Sequence, residues 1–287
     1  MERQAEQGPL LDCGRHQLDL SAPRVMGILN VTPDSFSDGG NFLRPETALQ
    51  RARKMVDEGA DIIDVGGEST RPGAIPVPLA EELRRIMPVL EVLCPQLPVP
   101  VSVDTSKPEV MRAAAQVGAG LLNDINGLRA DGALEAAAET GLPVCLMHML
   151  GRPQTMQDDP RYGNVTQEIL EFLMQRVAAC EAAGIGRQRL LLDPGFGFGK
   201  RSVHNYQLLR ELDQFVATGL PVLVGMSRKG MVGQATNKPA AERLHGSVAA
   251  AVMAATFGAR IIRVHDVAAT REAMDFVAAV LSGGVAD

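Results

Sequence analysis

Residues 25–40 read VMGILNVTPDSFSDGG, and this stretch predicts the fold of the whole chain. It opens as a short apolar run, passes through one polar amide, Asn30, and ends in residues that favour turns. A buried strand that delivers one polar side chain into a loop is typical of the active sites of α/β barrels. The rest of the sequence repeats this plan seven more times.

Eight apolar runs alternate with helix-forming segments along the chain. We predict strands at 25–30, 61–66, 99–104, 120–124, 143–148, 189–193, 221–226 and 260–265. These runs are nearly continuous in apolar residues, as parallel strands buried on both faces are. The helical patterns include 45–58, 79–93, 108–117, 132–140, 165–183, 240–257 and 268–281. Gly59, Gly118 and Gly258 precede strands at positions where a helix needs a left-handed final residue.

Strict alternation of eight strands with helices predicts a single (β/α)₈ TIM barrel. A doubly wound open sheet is the alternative, but no glycine-rich dinucleotide motif follows the first strand. Leu10 to Leu20 predicts a β-hairpin around Gly14-Arg15 that plugs one end of the barrel. The predicted organisation is therefore a flexible tail at 1–9, an N-terminal hairpin at 10–24 and the barrel domain at 25–287. Ser106 and Glu109 have the spacing of a capping box for the third helix of the barrel.

Composition narrows the classes of function that remain. The chain has 287 residues and a net charge of −6, which argues against a broad nucleic-acid or membrane surface. No signal peptide is evident, and no stretch approaches the ~18 apolar residues of a membrane span. The four cysteines are scattered without metal-binding spacing, as in proteins that keep buried, reduced thiols. We therefore expect a cytoplasmic protein that binds neither nucleic acid nor membrane.

Polar side chains mark the ends of all eight predicted strands. In chain order they are Asn30, Asp64, Asp104, Asn123 with Asp124, His148, Asp193, Ser227, and Arg263 with His265. Any one of them alone would be read as a cap or a turn former. In a barrel, however, all eight ends meet at one face, where the chemistry of this fold takes place. Eight in succession therefore favour an active site.

The residue types at these ends suit a flat heterocycle that carries an anion. Acceptors and one amide for a ring with several N–H donors come from Asp104, Asn123 and Asp193. Positive charge for a phosphate or carboxylate comes from Arg71, Lys229, Arg263 and His265. Asn30 offers a side-chain oxygen, which suits Mg²⁺ better than Zn²⁺. Because no nucleophile is paired with a base, the set favours electrostatic positioning and stabilisation of a leaving group.

Three glycine-rich or proline-rich loops follow strands of the predicted barrel. The run 193–200 reads DPGFGFGK, but Pro194 occupies the place of the first glycine of a phosphate loop. The run is either a plain glycine-rich turn or a loop whose backbone approaches a flat ligand closely. In the second case Phe196 or Phe198 would form one wall of the binding site. The loops 32–45 and 67–78 are either ordinary surface loops or mobile lids, in which Phe36 and Pro72 could cover a substrate.

Eight ordered motifs carry a resemblance to a known family. They are ILNVTPDSFSDGG, IIDVGGESTRPGA, VSVDTSKPEV, LLNDI, LMHM, LLDPGFGFGK, GMSRK and RVHD. From about Val25 to Leu281 the chain resembles the dihydropteroate synthase family, pterin-binding barrel enzymes of folate biosynthesis. The resemblance implies condensation of 6-hydroxymethyl-7,8-dihydropterin diphosphate with 4-aminobenzoate, giving 7,8-dihydropteroate and diphosphate. It also implies Mg²⁺, a homodimer and sensitivity to sulfonamides. We expect an SN1-like route with Mg²⁺-assisted departure of diphosphate.

The motif match also implies roles for individual residues. The pterin edge is expected to contact Asp104, Asn123 and Asp193, with Lys229 at the carbonyl and N5 side. Arg263 is expected to stack on the pterin and to hold the diphosphate together with His265 and Asn30. Asn30 is also the expected Mg²⁺ ligand. Thr70 and Arg71 are expected to contact the diphosphate or the closing loop. The residues expected to flank the aminobenzoate are Phe198, Pro72 and Ser227, with its carboxylate near Ser227. Phe36 is a further expected substrate contact, from the composition of its loop. The expected catalytic residues are Asn30, Asp104, Lys229 and Arg263.

Two other functions are compatible with a pterin cradle. A pterin-binding methyltransferase would need no anion clamp, so Arg71, Arg263 and His265 count against it. A non-catalytic pterin-binding paralogue would be expected to have lost part of the catalytic set. None of its members is lost: Asn30, Asp104, Lys229 and Arg263.

Overall fold

The computed structural model describes residues 10–31, 44–71 and 73–282. The strands in these ranges are β1 (Leu10–Cys13), β2 (His16–Asp19), β3 (Arg24–Asn30), β4 (Ile62–Gly66), β5 (Val101–Asp104), β6 (Leu121–Asp124), β7 (Val144–Met147), β8 (Leu190–Asp193), β9 (Leu223–Val224) and β10 (Ile261–Val264). The helices are α1 (Pro45–Asp57), α2 (Leu79–Gln96), α3 (Pro108–Gln116), α4 (Ala133–Thr140), α5 (Val165–Ala182), α6 (Ser202–Arg210), α7 (Asp213–Val216), α8 (Gly230–Thr236), α9 (Leu244–Thr256) and α10 (Val267–Ser282).

The strands β3 to β10 form one parallel sheet that curls into a barrel. Its order is β8-β7-β6-β5-β4-β3-β10-β9, and a parallel bridge between Leu192 and Val222 joins the two outer strands. The predicted TIM barrel is therefore confirmed. The strand β3 begins one residue earlier than predicted, and the other seven barrel strands are shorter than predicted. The largest difference is in β9, which has two residues where 221–226 was predicted. Pro221, the first residue of the predicted strand, has no N–H to donate to a neighbouring strand.

Side chains alternate between the two faces of each barrel strand. In β4, Ile63 and Val65 belong to the core between sheet and helices, whereas Ile62 faces the barrel interior. Asp64 follows Ile62 on the inner face, one layer nearer the carboxyl end. The interior is therefore apolar at its base and becomes polar toward the mouth, the end at which the strands finish.

A β-hairpin of β1 and β2 closes the base of the barrel, as the sequence predicted. The two strands pair antiparallel from Leu10 with Asp19 to Cys13 with His16. Their inner side chains pack with one apolar residue from most barrel strands in the cluster Leu11, Cys13, Leu18, Leu20, Met26, Ile62, Leu121, Cys145, Leu191, Leu223 and Ile261. A Cβ atom on Gly120 would lie 2.8 Å from the carbonyl oxygen of Cys13, so the hairpin fits closely.

The helix ends confirm one prediction and contradict another. Gly59, Gly118 and Gly258 have φ angles of +95°, +97° and +100°, which confirms the left-handed residues before the strands. The capping box at Ser106 was wrong, because Lys107 is the N-cap of α3 and makes no side-chain cap. The Ser106 hydroxyl donates to the Asp124 carboxylate instead.

Some predictions concern residues outside the described ranges. These are the tail 1–9, most of the loop after β3 with Phe36, and Pro72. The domain boundaries at 9/10 and 24/25 stay a prediction. All four cysteines are free and buried, as expected. Of the helices described, none combines the length and apolar character that crossing a bilayer requires.

The hairpin offers a direct test of its contribution to stability. Leu11 is 2% exposed and its neighbour Leu10 is 59% exposed. We expect Leu11→Ala to lower the free energy of unfolding by about 2–4 kcal/mol, since it leaves a cavity in the base. Leu10→Ala, the matched control, should change it by less than about 0.5 kcal/mol. Urea denaturation measures both, and equal effects would mean that the hairpin does not seal the barrel.

Candidate active site

The mouth of the barrel is centred on Arg263 of β10. Its Nε donates to Asp64 Oδ2 of β4 at 2.6 Å, and one terminal nitrogen donates to Asp104 Oδ2 of β5 at 2.9 Å. Asp64 is completely buried, and the side chain of Asp104 is 10% exposed. Asn123 of β6 adds an amide donor 3.3 Å from the same Asp64 oxygen. Four strands therefore contribute to one charged cluster.

Burial and mutual charge determine how this cluster titrates. Burial raises the pKa of Asp104 to about 7, and the carboxylate of Asp64 adds to the rise while Arg263 opposes it. Burial also disfavours the charged form of Arg263, but Asp64 and Asp104 outweigh it and raise the arginine pKa above its usual value. The guanidinium therefore stays charged, and Asp104 titrates near neutrality.

Asp193 and Lys229 form a second part of the mouth. Asp193 Oδ1 accepts the N–H of Gly195 at 2.7 Å, and burial raises the pKa of its carboxyl. Burial lowers the pKa of Lys229 to about 8, while the charge of Asp193 opposes this change. The Lys229 ammonium lies 4.6 Å from the ring centroid of Phe198, within cation–π range. Lys229 and Phe198 thus face each other.

Ser227 and His265 lie together at the rim. The Ser227 hydroxyl lies 3.0 Å from His265 Nδ1 and accepts the backbone N–H of His265 at 3.2 Å. His265 was predicted to supply positive charge, but its surroundings in the structure favour the neutral ring. Desolvation by the protein around the ring, followed by the charge of Arg263, lowers the pKa of His265. A neutral imidazole at pH 7 can donate one hydrogen bond but carries no charge.

The remaining predicted residues lie at the strand ends or on the loops above them. Asn30 is half-buried and pairs in register with Gly66, which in turn pairs with Asp104. Thr70 is half-buried and Arg71 is exposed on the loop after β4. The charge of Arg71 reaches the ring of His265 and contributes to its lowered pKa.

Two strand-end residues do not join this cluster. Asp124 faces away from the mouth, where it accepts the backbone N–H groups of Asn126 and Leu128 at 2.8 and 2.7 Å. His148 is buried beside Lys200. Phe196 is completely buried in the outer core, which leaves Phe198 as the phenylalanine of its loop at the mouth.

Several residues around the mouth were not predicted to belong to the site. Asp64 was noted as a strand end but received no role, although its place two residues after Ile62 on the same face of the predicted strand was a usable signal. An apolar wall beside Phe198 consists of Ile125, Met147, Met149 and Met156. Its methionines carried no sequence signal, since flexible thioethers fill core gaps of many shapes.

A second missed cluster holds the base of the loop that carries Thr70 and Arg71. Lys107 donates to Glu68 Oε2 at 2.5 Å and also to the buried carboxylate of Glu82 on α2. The Thr105 hydroxyl donates to the other Glu82 oxygen at 2.6 Å. These contacts tie the loop after β4 to the loop after β5. Nothing in the local sequence around Glu82 indicates its partner.

A closed parallel barrel with buried carboxylates, a guanidinium and an ammonium at its carboxyl end defines an α/β-barrel enzyme. The family described as pterin binding enzyme matches residues 26–265. The dihydropteroate synthase of Escherichia coli (strain K12) is 59% identical over 265 residues, which cover 92% of this chain and 94% of that protein.

Solved structures agree with this match. The Yersinia pestis dihydropteroate synthase with a sulfonamide drug is 56% identical and superposes with a TM-score of 0.92, covering 95% of this chain and 99% of that chain. The Xanthomonas albilineans dihydropteroate synthase in complex with 7,8-dihydropteroate is 49% identical with a TM-score of 0.87, covering 96% and 99%. The chain therefore belongs to the pterin-binding enzyme family and, within it, to the dihydropteroate synthases.

The buried pair of Asp64 and Arg263 can be tested by substitution. Asp64→Asn removes one of the two carboxylates that compensate the buried guanidinium, so we expect the free energy of unfolding to fall by about 3–5 kcal/mol. Asp159→Asn is the matched control, because Asp159 pairs with Arg161 and Arg201 at the surface. Its effect should stay below about 1 kcal/mol. Chemical denaturation measures both, and similar small losses would contradict the role of Asp64.

Proposed function

We infer that the protein is the transferase of folate biosynthesis that condenses 6-hydroxymethyl-7,8-dihydropterin diphosphate with 4-aminobenzoate. The products are 7,8-dihydropteroate and diphosphate. The observation that carries this inference is the convergence of Asp104, Asn123, Asp193, Lys229 and Arg263 in one mouth, in a chain of this family. A methyltransferase and a non-catalytic paralogue have no comparable support.

The pterin is proposed to bind deepest, against the buried acceptors. Asp104 and Asn123 pair in register on neighbouring strands, and Asp193 lies across the mouth on β8. Carboxylates that face ring N–H groups form charge-assisted hydrogen bonds in a water-poor site. Lys229 is proposed to donate to the ring carbonyl and the N5 side. Arg263, fixed by two carboxylates, is proposed to offer the planar face on which the pterin stacks.

The diphosphate is proposed to lie toward the rim. Arg263 and Arg71 supply positive charge there, while neutral His265 and Thr70 donate hydrogen bonds. In the proposed SN1-like step the C–O bond to diphosphate breaks first and leaves a cationic pterin methylene, which nearby carboxylates stabilise. The amine of 4-aminobenzoate then forms the new C–N bond and releases one proton. This route needs no protein nucleophile.

Mg²⁺ fits this scheme as an ion that arrives with the substrate. Within the described ranges no group of three or more His, Cys, Asp and Glu side chains is placed to hold a metal ion. Asn30 offers one amide oxygen at the level of Asp104. Since Mg²⁺ keeps several waters and takes other ligands from substrate phosphates, one protein ligand is compatible with its binding. We propose that Asn30 holds Mg²⁺, which would neutralise charge on the diphosphate.

The aminobenzoate is proposed to lie above the pterin. Phe198 flanks its ring, and Ser227 lies near its carboxylate. Pro72 and Phe36, both outside the described residues, stay predicted members of the cover over this site. Sulfonamides, which resemble 4-aminobenzoate in shape and charge, are expected to compete at the same position.

The location and assembly of the protein are also proposals. We propose a cytoplasmic protein, because its four thiols are all free. We propose a homodimer formed through α9 and α10, which pack side by side. Their outer faces expose Met253, Phe276, Val280 and Leu281, at 48%, 71%, 62% and 57%. Exposed apolar side chains on two adjacent helices are typical of protein interfaces.

A turnover assay tests the reaction. The purified chain is mixed with Mg²⁺, the pterin diphosphate and 4-aminobenzoate, and dihydropteroate and diphosphate are quantified. Pterin binding in calorimetry without turnover would favour the non-catalytic paralogue. Diphosphate release without 4-aminobenzoate supports the SN1-like route, whereas strict dependence on 4-aminobenzoate would argue for direct displacement.

Asp193→Asn probes the placement of the pterin. The variant retains an oxygen for the N–H of Gly195 but turns one acceptor into a donor that faces ring N–H groups. We expect pterin binding to weaken by about 3 kcal/mol, roughly a hundredfold in Kd. Calorimetry measures the change, with Asp159→Asn as the control. Unchanged affinity would mean that the ring lies elsewhere.

Phe276→Glu probes the dimer. The wild-type chain should have about twice the 30.6 kDa mass of one copy in light scattering, and the variant should approach one copy. A charge in a desolvated interface has no partner, so the interface should separate. Val203→Glu on α6, also at an exposed apolar position, serves as the control. A wild-type monomer, or a variant that remains a dimer, would refute this interface.

A further inference from the structure

The loop 194–200 after β8 has an unusual hydrogen-bonding pattern. Five consecutive backbone carbonyls, from Gly195 to Gly199, each accept a hydrogen bond from a side chain. The donors, in the order of the carbonyls, are Lys200 at 2.8 Å, Lys229 at 2.5 Å, Gln157 at 2.5 Å, Lys200 again at 3.0 Å and Tyr162 at 2.8 Å. The backbone of the loop is thus held by side chains from outside it and from its own last residue.

The conformation of the loop explains why such donors are needed. Gly195, Gly197 and Gly199 have φ angles of +71°, +81° and +64°, so the chain turns repeatedly through the left-handed region. A loop of this shape makes few regular backbone hydrogen bonds, and its buried carbonyls need other partners. A Cβ atom on Gly195 would lie 2.0 Å from the carbonyl oxygen of His148, so the loop presses against the end of β7.

Lys200 makes the largest share of these contacts. It is 3% exposed, and besides the two loop carbonyls its Nζ contacts His148 Nδ1 at 3.0 Å and the His148 carbonyl at 3.3 Å. Burial and the charges of Lys200 and Arg129 lower the pKa of His148 to about 2, so its ring is a neutral acceptor. Burial lowers the pKa of Lys200 well below its usual value, while the charge of Asp193 opposes this change. Lys200 can donate in either state, since an ammonium has three N–H groups and a neutral amine has two. Lys200 thus joins β7 to both ends of the loop.

We propose that Lys200 is a positioning residue that acts through this loop to hold Phe198 against Lys229. Phe198 lies two residues before Lys200, and its carbonyl accepts from Lys200 while its ring faces the Lys229 ammonium. The Phe196 carbonyl, in the same loop, accepts directly from Lys229. A shift of the loop therefore moves both the wall of the aminobenzoate position and the cation beside the pterin. The catalytic consequence rests on the function proposed above.

The first experiment measures the loop itself. Lys200→Met keeps an unbranched side chain, one atom shorter, but removes all of its side-chain donors. Lys238→Met, at an exposed surface pair, is the matched control. The amides of Gly195, Gly197 and Phe198 are hydrogen-bonded and report on the loop by hydrogen exchange. We expect these amides to exchange at least tenfold faster in Lys200→Met than in the wild type and the control.

The second experiment measures the consequence for the reaction. We expect kcat/KM for 4-aminobenzoate to fall about tenfold to a hundredfold in Lys200→Met, since displacement of a positioning group by about 1 Å has effects of this size. The Kd of the pterin diphosphate should rise by a clearly smaller factor, because the loop reaches the pterin only through Lys229 and Asp193, whereas Asp104 and Asn123 lie on other strands. Equal losses in both quantities would indicate general damage to the fold and overturn the proposal.

If Lys200→Met does not fold, Tyr162→Phe tests whether side-chain donors hold the loop in place. It removes only the donor to the Gly199 carbonyl, and a smaller change of the same kind is expected in exchange and in kcat/KM. Unchanged exchange in the variant that folds overturns the proposal, whatever the activity. A wild-type chain without turnover would instead refute the proposed reaction, and the exchange data would still test the positioning of the loop.

Discussion

The guanidinium of Arg263 lies between two carboxylates inside a closed barrel, and the mouth depends on this arrangement. A charged group in such surroundings loses its hydration, and only close partners of opposite charge compensate for that loss. Asp64 and Asp104 provide them from two other strands. The charges are consequently fixed in place before any ligand arrives, and a ligand meets dipoles that need little reorganisation.

The same arrangement explains why the barrel interior changes from apolar to charged along its axis. At the base, apolar side chains and the hairpin exclude water. One layer above, Asp64 and Arg263 take the inner positions, and the low polarity beneath them strengthens their attraction. The apolar base and the charged mouth thus depend on each other.

Local patterns in the sequence were sufficient for the fold and for the position of the mouth. Apolar runs and glycines such as Gly59 report on strands and helix ends, because these features depend on neighbours along the chain. The rule that barrel strands finish at one face then brought Asp104, Asn123 and Arg263 together.

The sequence could not reveal features that depend on distant partners. Asp124 and Asn123 are neighbours in β6, yet alternation along the strand turns only one of them to the mouth. The lowered pKa of His265 results from burial and from the charge of Arg263. Glu82 meets its partner Lys107 only when α2 packs against the loop after β5. Ser106 likewise donates to Asp124 of the neighbouring strand instead of capping α3. Burial and pairing of this kind exist only in the folded chain.

The pairing of β3 with β10 has a consequence for how the chain is made. These strands lie at opposite ends of the sequence, with Gly27 opposite Val264. At about 5–20 residues per second, a ribosome needs on the order of ten seconds or more between them. During that time one edge of β3 has no strand beside it, and such edges invite association with other chains. Because Arg263 arrives on the last strand, the charge cluster is completed only when the barrel closes. An unfinished chain thus lacks both its final strand and the centre of its mouth.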